Sequence, residues 1–316
     1  AVIVPLLIAS SLKLDAHTTI HLINADLFTC GIATLIQSIG ITKYVGVRLP
    51  IIQGVTTTAV APIIAIGLAV TGGEGGTAGL PAIYGSIIVA GLFTFFAAPY
   101  FAKLLRFFPP VVTGSVLFVM GTTLLSVSAN DFVNYAQDVP EMKSLAYGFG
   151  TLLTIILVQR FFRGFFGTIA VLVGLVGGTV VAAIAGHLGD DSIAAFHQAS
   201  GVSVTTPFYF GAPVFTVTGC ISMIIVMIIT MVETTGDVFA TGEIVNKRIN
   251  KNDISAALRA DGLSTLLGGI MNSFPYTCFA QNVGLVRITR VKSRWVAAGA
   301  GILIIILGVL PKAGAI

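Results

Sequence analysis

Two adjacent carboxamides, Gln281 and Asn282, stand in the stretch FPYTCFAQNVGLVRITR, and two acids, Glu233 and Asp237, stand four residues apart in TMVETTGDVFATGEI. A carboxamide presents an acceptor and a donor in one plane. That matches adjacent C=O and N–H groups on the edge of a flat heterocycle. A carboxylate offers two acceptors to a pair of ligand N–H groups. Residues four apart share a helix face, so Glu233 and Asp237 are expected to look the same way. Together these groups could read a flat, hydrogen-bond-rich ring. Each also has a plainer explanation: the acids at a wet helix end, the amides bonding between helices. Adjacent amides point in different directions, so one can meet a ligand while the other holds backbone. Asp261, in LRADGLS, is expected to cap the helix after it, to support the site, or both. Asp253, in NKNDISAALRADG, is expected to cap an interfacial helix.

The elements that position these residues are apolar. Of 316 residues, 55% are hydrophobic and 9% charged, with a mean hydropathy of +0.98. Soluble domains carry about 25% charged residues, so the solvent for this chain is a bilayer. The net charge of +4 is spread over short loops and forms no nucleic-acid patch. Cys30, Cys220 and Cys278 lie in apolar or small-residue segments and suggest neither a disulfide framework nor a metal site. No cofactor is expected. Without an HExxH, Asp-rich pair or Ser-Lys arrangement, an intramembrane enzyme is not supported. TGGEGG lacks the lysine and the strand-to-helix context of a phosphate loop and reads as an outer loop. His17, His21, His187 and His197 fall in or near outer loops and receive no chemistry.

The opening run AVIVPLLIA is too short to cross about 30 Å of hydrocarbon and is expected to be the end of a first span. Ten apolar segments follow: 22–40, 51–70, 80–101, 111–127, 145–158, 168–188, 217–241, 263–272, 276–288 and 295–310. With that remnant they make eleven. Fourteen of the 17 Lys and Arg residues then fall at one membrane face. Lys13, Lys143 and Lys312 share the other face with Asp131, Asp138, Glu141, Asp190 and Asp191. Cytoplasmic loops are enriched in Lys and Arg, so the even-numbered spans are expected to exit to the cytoplasm.

Two regions do not read as straight helices. Segment 263–272 is too short, and 276–288 follows Pro275 and is broken by polar residues and glycine. LPIIQGVTTTAVAPI (Leu49 to Ile63) has the same character. Broken backbone at membrane depth is tolerated only where protein or a water-filled cavity satisfies it. One interrupted segment per half points to the substrate site of an inverted-repeat transporter. Span three would pair with span ten, and span one with span eight. Glu233, beyond the midpoint of its span, costs on the order of 3 kcal/mol to insert, which marks a functional site.

At QNVGLVRITR the chain resembles the nucleobase–ascorbate transporter family, or nucleobase:cation symporter-2. Gln281, Asn282, Gly284, Thr289 and Arg290 fill its signature, and VETTGD, RADG, SFPYTCFAQN and RLPIIQGVTTTAVAPIIAIG support it. The resemblance covers the whole chain. It implies an all-α polytopic membrane protein with a 7+7 inverted-repeat fold and short strands in spans three and ten. About eleven of fourteen spans would be present. Residues 1–108 and 205–316 would form the core domain and 109–204 part of the gate domain. It further implies a homodimer in the plasma membrane that moves core against gate like an elevator.

By position, the resemblance makes Glu233 and Gln281 the main substrate-binding side chains, with Phe279 and Ala280 also touching the base. It gives supporting roles to Asp261 and Asn282. Thr57 stands where many members stack a phenylalanine, and Asp237 at a position that varies between branches. Gln281 looks like the xanthine and urate branch; uracil transporters typically carry glutamate there. Burial disfavours an ionised carboxyl, so Glu233 is expected to hold or exchange a coupled proton, with sodium the other candidate ion. The alternatives are another nucleobase permease of the same family and a same-fold anion exchanger, which would lack the signature.

Overall fold

The computed structural model describes residues 2–104, 115, 122, 125, 141–162, 167, 169–186 and 202–311. Apart from residues 115, 122 and 125, the expected span 111–127 lies outside them, as do His187, His197, Lys312, Asp131, Asp138, Asp190 and Asp191. In chain order, the helices are α1 (Ile3–Ser11), α2 (Ala16–Ile39), α3 (Val60–Val70), α4 (Leu80–Leu104), α5 (Glu141–Phe161), α6 (Ala170–Ile184), α7 (Val217–Val245), α8 (Lys251–Ile270), α9 (Ala280–Thr289) and α10 (Arg294–Val309). A three-residue strand β1 (Gln53–Val55) precedes a tight turn (Thr57–Ala59) and α3, and a second, β2 (Tyr276–Cys278), precedes α9. Among the described residues, three helices are long and apolar enough to cross a membrane: Ala16–Ile39, Thr77–Lys103 and Val217–Val245. Shorter apolar helices occupy Thr57–Val70, Leu145–Phe161, Val173–Ile184 and Arg294–Val309.

Helix ends follow from local chemistry. The Asp15 side chain accepts the Thr18 N–H at 3.2 Å and starts α2. Asn246 adopts the left-handed conformation (φ 59°) that stops α7. The most consequential end is that of α8. Segment 263–272 was expected to be short, with Asp261 at its start; instead α8 runs 20 residues from Lys251. Its cap is Asn250, whose side chain accepts the Asn252 and Asp253 N–H groups while Asp253 accepts that of Asn250. Asp261 therefore lies mid-helix and buried, not at an end. Asp253 does serve in a cap, as its third residue.

Two crossings hold the frame, α2 against α10 and α4 against α8. Both are made by glycine. A methyl group on Gly31 would lie 2.5 Å from the Gly301 carbonyl oxygen, and one on Gly262 2.5 Å from the Phe95 backbone nitrogen. Close backbone approach of this kind is how helices associate without a hydrophobic driving force.

The two strands pair antiparallel, with Gln53 opposite Cys278, Gly54 opposite Thr277 and Val55 opposite Tyr276. Bonds of the same register continue past both ends. Thr56 N–H donates to the Pro275 carbonyl at 2.9 Å, and Phe279 N–H to that of Ile52 at 3.1 Å. Two strands alone leave two open edges, which are costly when buried. Helix side chains close them. Gln53 N–H donates to Thr34 Oγ1 at 3.1 Å, and Cys30 Sγ donates to the Gln53 carbonyl at 2.8 Å. On the other edge, Tyr276 N–H donates to Thr265 Oγ1 at 3.0 Å. The apolar core surrounding the pair includes Val55, Ile63, Ile83, Ile87, Met223, Phe274 and Tyr276.

Candidate substrate site

The strand pair creates the site because each strand is followed by a fresh helix start. Phe279 precedes α9 in extended conformation, and no side chain caps that end. α7 packs against β2, α9 and the Thr57–Ala59 turn. These contacts bring the acids of α7 beside the broken backbone of both strands.

Glu233 and Asp237 are half-buried on α7. Glu233 Oε2 and Asp237 Oδ2 are each fully buried oxygens without a hydrogen-bond partner among the described residues. An unsatisfied buried polar group costs about 1–3 kcal/mol, more when charged. Two acids one turn apart in this condition suit a ligand that brings N–H groups. Thr234, between them in sequence, turns inward: its Oγ1 donates to Asp261 Oδ2 at 2.5 Å and lies 3.1 Å from Thr277 Oγ1.

Asp261 is at the centre of a connected network. Gln37 Nε2 reaches its Oδ1 at 3.2 Å, and Gln53 Nε2 donates to the same oxygen. The Gln37 side-chain oxygen, Oε1, in turn accepts the Val47 N–H at 3.1 Å. Asp261 thus ties α8 to α2, β1 and α7, behind the face carrying Glu233. It also lies within electrostatic reach of Glu233 and Asp237.

The two amides part company. Asn282 is buried, and its Nδ2 donates to the Pro50 carbonyl at 2.7 Å, anchoring α9 to the backbone before β1. Gln281 is exposed. Phe279 is half-buried, its ring packed where a side chain on Gly54 would otherwise stand. Ala280 is exposed, and Thr57 is half-buried at the head of its turn. The rest of the signature shapes the far end of α9. Thr289 Oγ1 donates back to the Leu285 carbonyl at 2.8 Å, and Arg290 takes the left-handed conformation (φ 57°) that ends the helix. A methyl on Gly284 would meet nothing within 4 Å.

Sequence reasoning missed three polar side chains. Gln37, Gln53 and Asp26 are all fully buried. Each stands in a largely apolar run, and the signal available was the cost of placing a polar group there.

Long apolar helices, a pair of buried short strands and unpaired acids beside them define a polytopic membrane transporter. Comparison with known proteins gives its family. The Permease family model (Xan_ur_permease) matches residues 1–316. The chain is 45% identical over 318 residues to the nucleobase transporter PlUacP of Paenibacillus larvae, covering 100% of this chain and 70% of that one. It is 41% identical to the uric acid permease PucK of Bacillus subtilis, covering 100% and 71%. The xanthine permease of Bacillus subtilis is 39% identical, with 100% and 70% covered. The chain belongs to this permease family, and these relatives are carriers rather than enzymes. In fold it is similar to the transmembrane domain of the cyanobacterial bicarbonate transporter BicA, with a TM-score of 0.66 at 13% identity, over 98% of this chain and 82% of that one. The murine anion transporter Slc26a9 superposes with a TM-score of 0.58 at 14% identity, over 99% and 56%.

Proposed function

We propose that this permease imports a purine nucleobase, xanthine or urate, coupled to protons. The observation that carries the reading is the pairing of unsatisfied acids Glu233 and Asp237 with a broken-strand element that presents Phe279 and Gln281. In this reading, Glu233 accepts purine N–H groups while Gln281 pairs with the adjacent edge, and Phe279 and Ala280 line the ring. Thr57 borders the site, Asp261 and Asn282 hold its walls, and Asp237 tunes Glu233. A loaded site that crosses the membrane without bare charge favours a carboxyl that gains a proton with substrate. The names of the uric acid and xanthine permease relatives, and glutamine at 281, support a purine over uracil.

The proposed architecture is a fourteen-span inverted repeat. Cys30–Thr34 (CGIAT) and Asp261–Thr265 (DGLST) support it. In both pentads the glycine makes a helix crossing and the threonine accepts the N–H of the strand's first residue. Residues 1–108 and 205–316 would be the core domain that travels against a gate including 109–204. The whole would act as a homodimer in the plasma membrane, its even-numbered spans exiting to the cytoplasm. An anion exchanger shares with this chain the fold alone.

The test is uptake of labelled xanthine and urate by the intact permease. Glu233→Gln and Gln281→Ala are each expected to abolish or sharply alter uptake. Normal saturable uptake by both variants would sink the assignment.

A further inference from the structure

Asp26 of α2 is fully buried and belongs to no part of the site above. Its Oδ1 lies 2.6 Å from Ser273 Oγ and 3.0 Å from Tyr276 Oη. Ser273 Oγ and Tyr276 Oη are 2.8 Å apart, and Tyr276 Oη lies 3.1 Å from the Asp26 backbone carbonyl. Asp26 Oδ2 is buried without a partner among the described residues. Among the described residues no Lys, Arg or His forms an ion pair with it. Among the described residues, the other titratable groups within electrostatic reach are Tyr84 of α4 and Cys30 of α2.

Counting protons decides between two states. With Asp26 ionised, both hydroxyls donate to Oδ1 and Oδ2 is left bare in an apolar surround, the costliest arrangement for a charge. With a proton on Oδ1, the cluster closes into a directed ring. Asp26 O–H donates to Ser273 Oγ, Ser273 O–H donates to Tyr276 Oη, and Tyr276 O–H donates to the Asp26 carbonyl. The Ser273 and Tyr276 hydroxyls then each give once and accept once, and the partnerless Oδ2 is a neutral carbonyl oxygen rather than a charged one.

Tyr276 begins β2, which runs on to Thr277, paired with Thr234 at the Asp261 network, and ends beside Phe279. The cluster therefore sits at the opposite end of the strand pair from Gln53 and Asp261. It also adjoins polar groups that lead outward. Asn272 Nδ2 donates to Thr205 Oγ1 at 3.0 Å, which lies 3.5 Å from His21 Nε2, and His21 stacks on exposed Tyr209 at 3.9 Å.

We propose that Asp26, Ser273 and Tyr276 form a proton-binding site that loads and releases a coupling proton of transport. The proton leaves Asp26 Oδ1 for water, and the two hydroxyls turn to donate to the carboxylate; reloading reverses both steps. This inference rests on the transport reading above, and the experiment separates the two.

Purified intact permease is reconstituted in liposomes and assayed for labelled xanthine uptake across a range of pH, with and without a pH gradient, in sodium-containing and sodium-free buffer. Asp26→Asn, which can mimic only the neutral acid, is expected to retain substrate exchange. It should lose gradient-driven accumulation, falling to equilibration, and its pH profile should flatten. Tyr276→Phe keeps the carboxyl but breaks the ring, and is expected to shift the midpoint of that profile. If Asp26→Asn does not fold, Tyr276→Phe decides. Wild-type accumulation with an unchanged pH profile in the variants overturns the proposal, as does a sodium requirement that Asp26→Asn removes. Infrared difference spectra of the solubilised protein, wild type against Asp26→Asn, read the proton without transport. The carbonyl stretch of a protonated acid at neutral pH is expected, and its absence overturns the site. Absent xanthine and urate transport in the wild type with that band present would refute the nucleobase reading and leave the proton site standing.

Discussion

The ring of Phe279, just past β2, occupies the space that a side chain at Gly54 of β1 would need: Cζ, Cε1 and Cε2 all lie where a Cβ would project. The glycine of one strand thus makes room for the aromatic wall attached to the other. Gly54→Ala is expected to displace that ring and weaken xanthine binding by about tenfold, the equivalent of about 1.4 kcal/mol, without loss of protein from the membrane. Equilibrium binding of labelled xanthine checks it, and unchanged affinity would remove Phe279 from the site.

The α4–α8 crossing sets the position of Asp261. Gly262 approaches Phe95 and Gly91 by backbone, so an added side chain has no flexible neighbour to push aside. Gly262→Val is expected to destabilise the protein by about 1–3 kcal/mol or more, as overpacking does. Gly299→Ala, where nothing lies within 4 Å, should leave the melting temperature near wild type. Thermal unfolding in one detergent compares the pair.

Asp15 caps α2 just ahead of the apolar, membrane-length helix Ala16–Ile39. Hydrogen bonds from Thr18 hold its carboxyl below the usual carboxylate range. A lowered value in the folded state means that the charged cap stabilises above the unfolded value of about 3.9 and that this is lost as pH falls through the folded value. Asp15→Ala is expected to cost about 1 kcal/mol near neutral pH, with the gap to wild type closing in acid. Asp15→Asn, a neutral cap, should follow a flatter pH course. Thermal unfolding at a series of pH values reads both.

Several of these elements were legible in the residues. The apolar runs mark α4, α7 and α10 within four residues and α2 within six, and Pro50 and Pro275 mark both breaks. The acids of VETTGD stand out against an apolar helix. By contrast, KNDISAALRADG, with four charged residues in twelve, reads as a wet helix followed by a cap. It is instead the first part of α8, whose Ala256, Ala257, Leu258, Ala260 and Asp261 are buried. A charged pattern signals exposure only when no partner waits inside. Here Gln37 and Gln53, more than 200 positions away, are those partners.

What the sequence determined by itself is the solvent and the punctuation: how much charge a chain carries and where its helices must break are properties of composition and of proline and glycine. The tertiary structure alone decided which amide anchors and which stays free, and which acids find donors. Asn282 meets Pro50, Asp261 meets Gln37, Gln53 and Thr234, and Asp26 meets Ser273 and Tyr276, while Glu233 Oε2 and Asp237 Oδ2 meet nothing in the described chain. Hydrogen bonding acts over about 3 Å, so its outcome depends on which distant segments the glycine crossings bring that close.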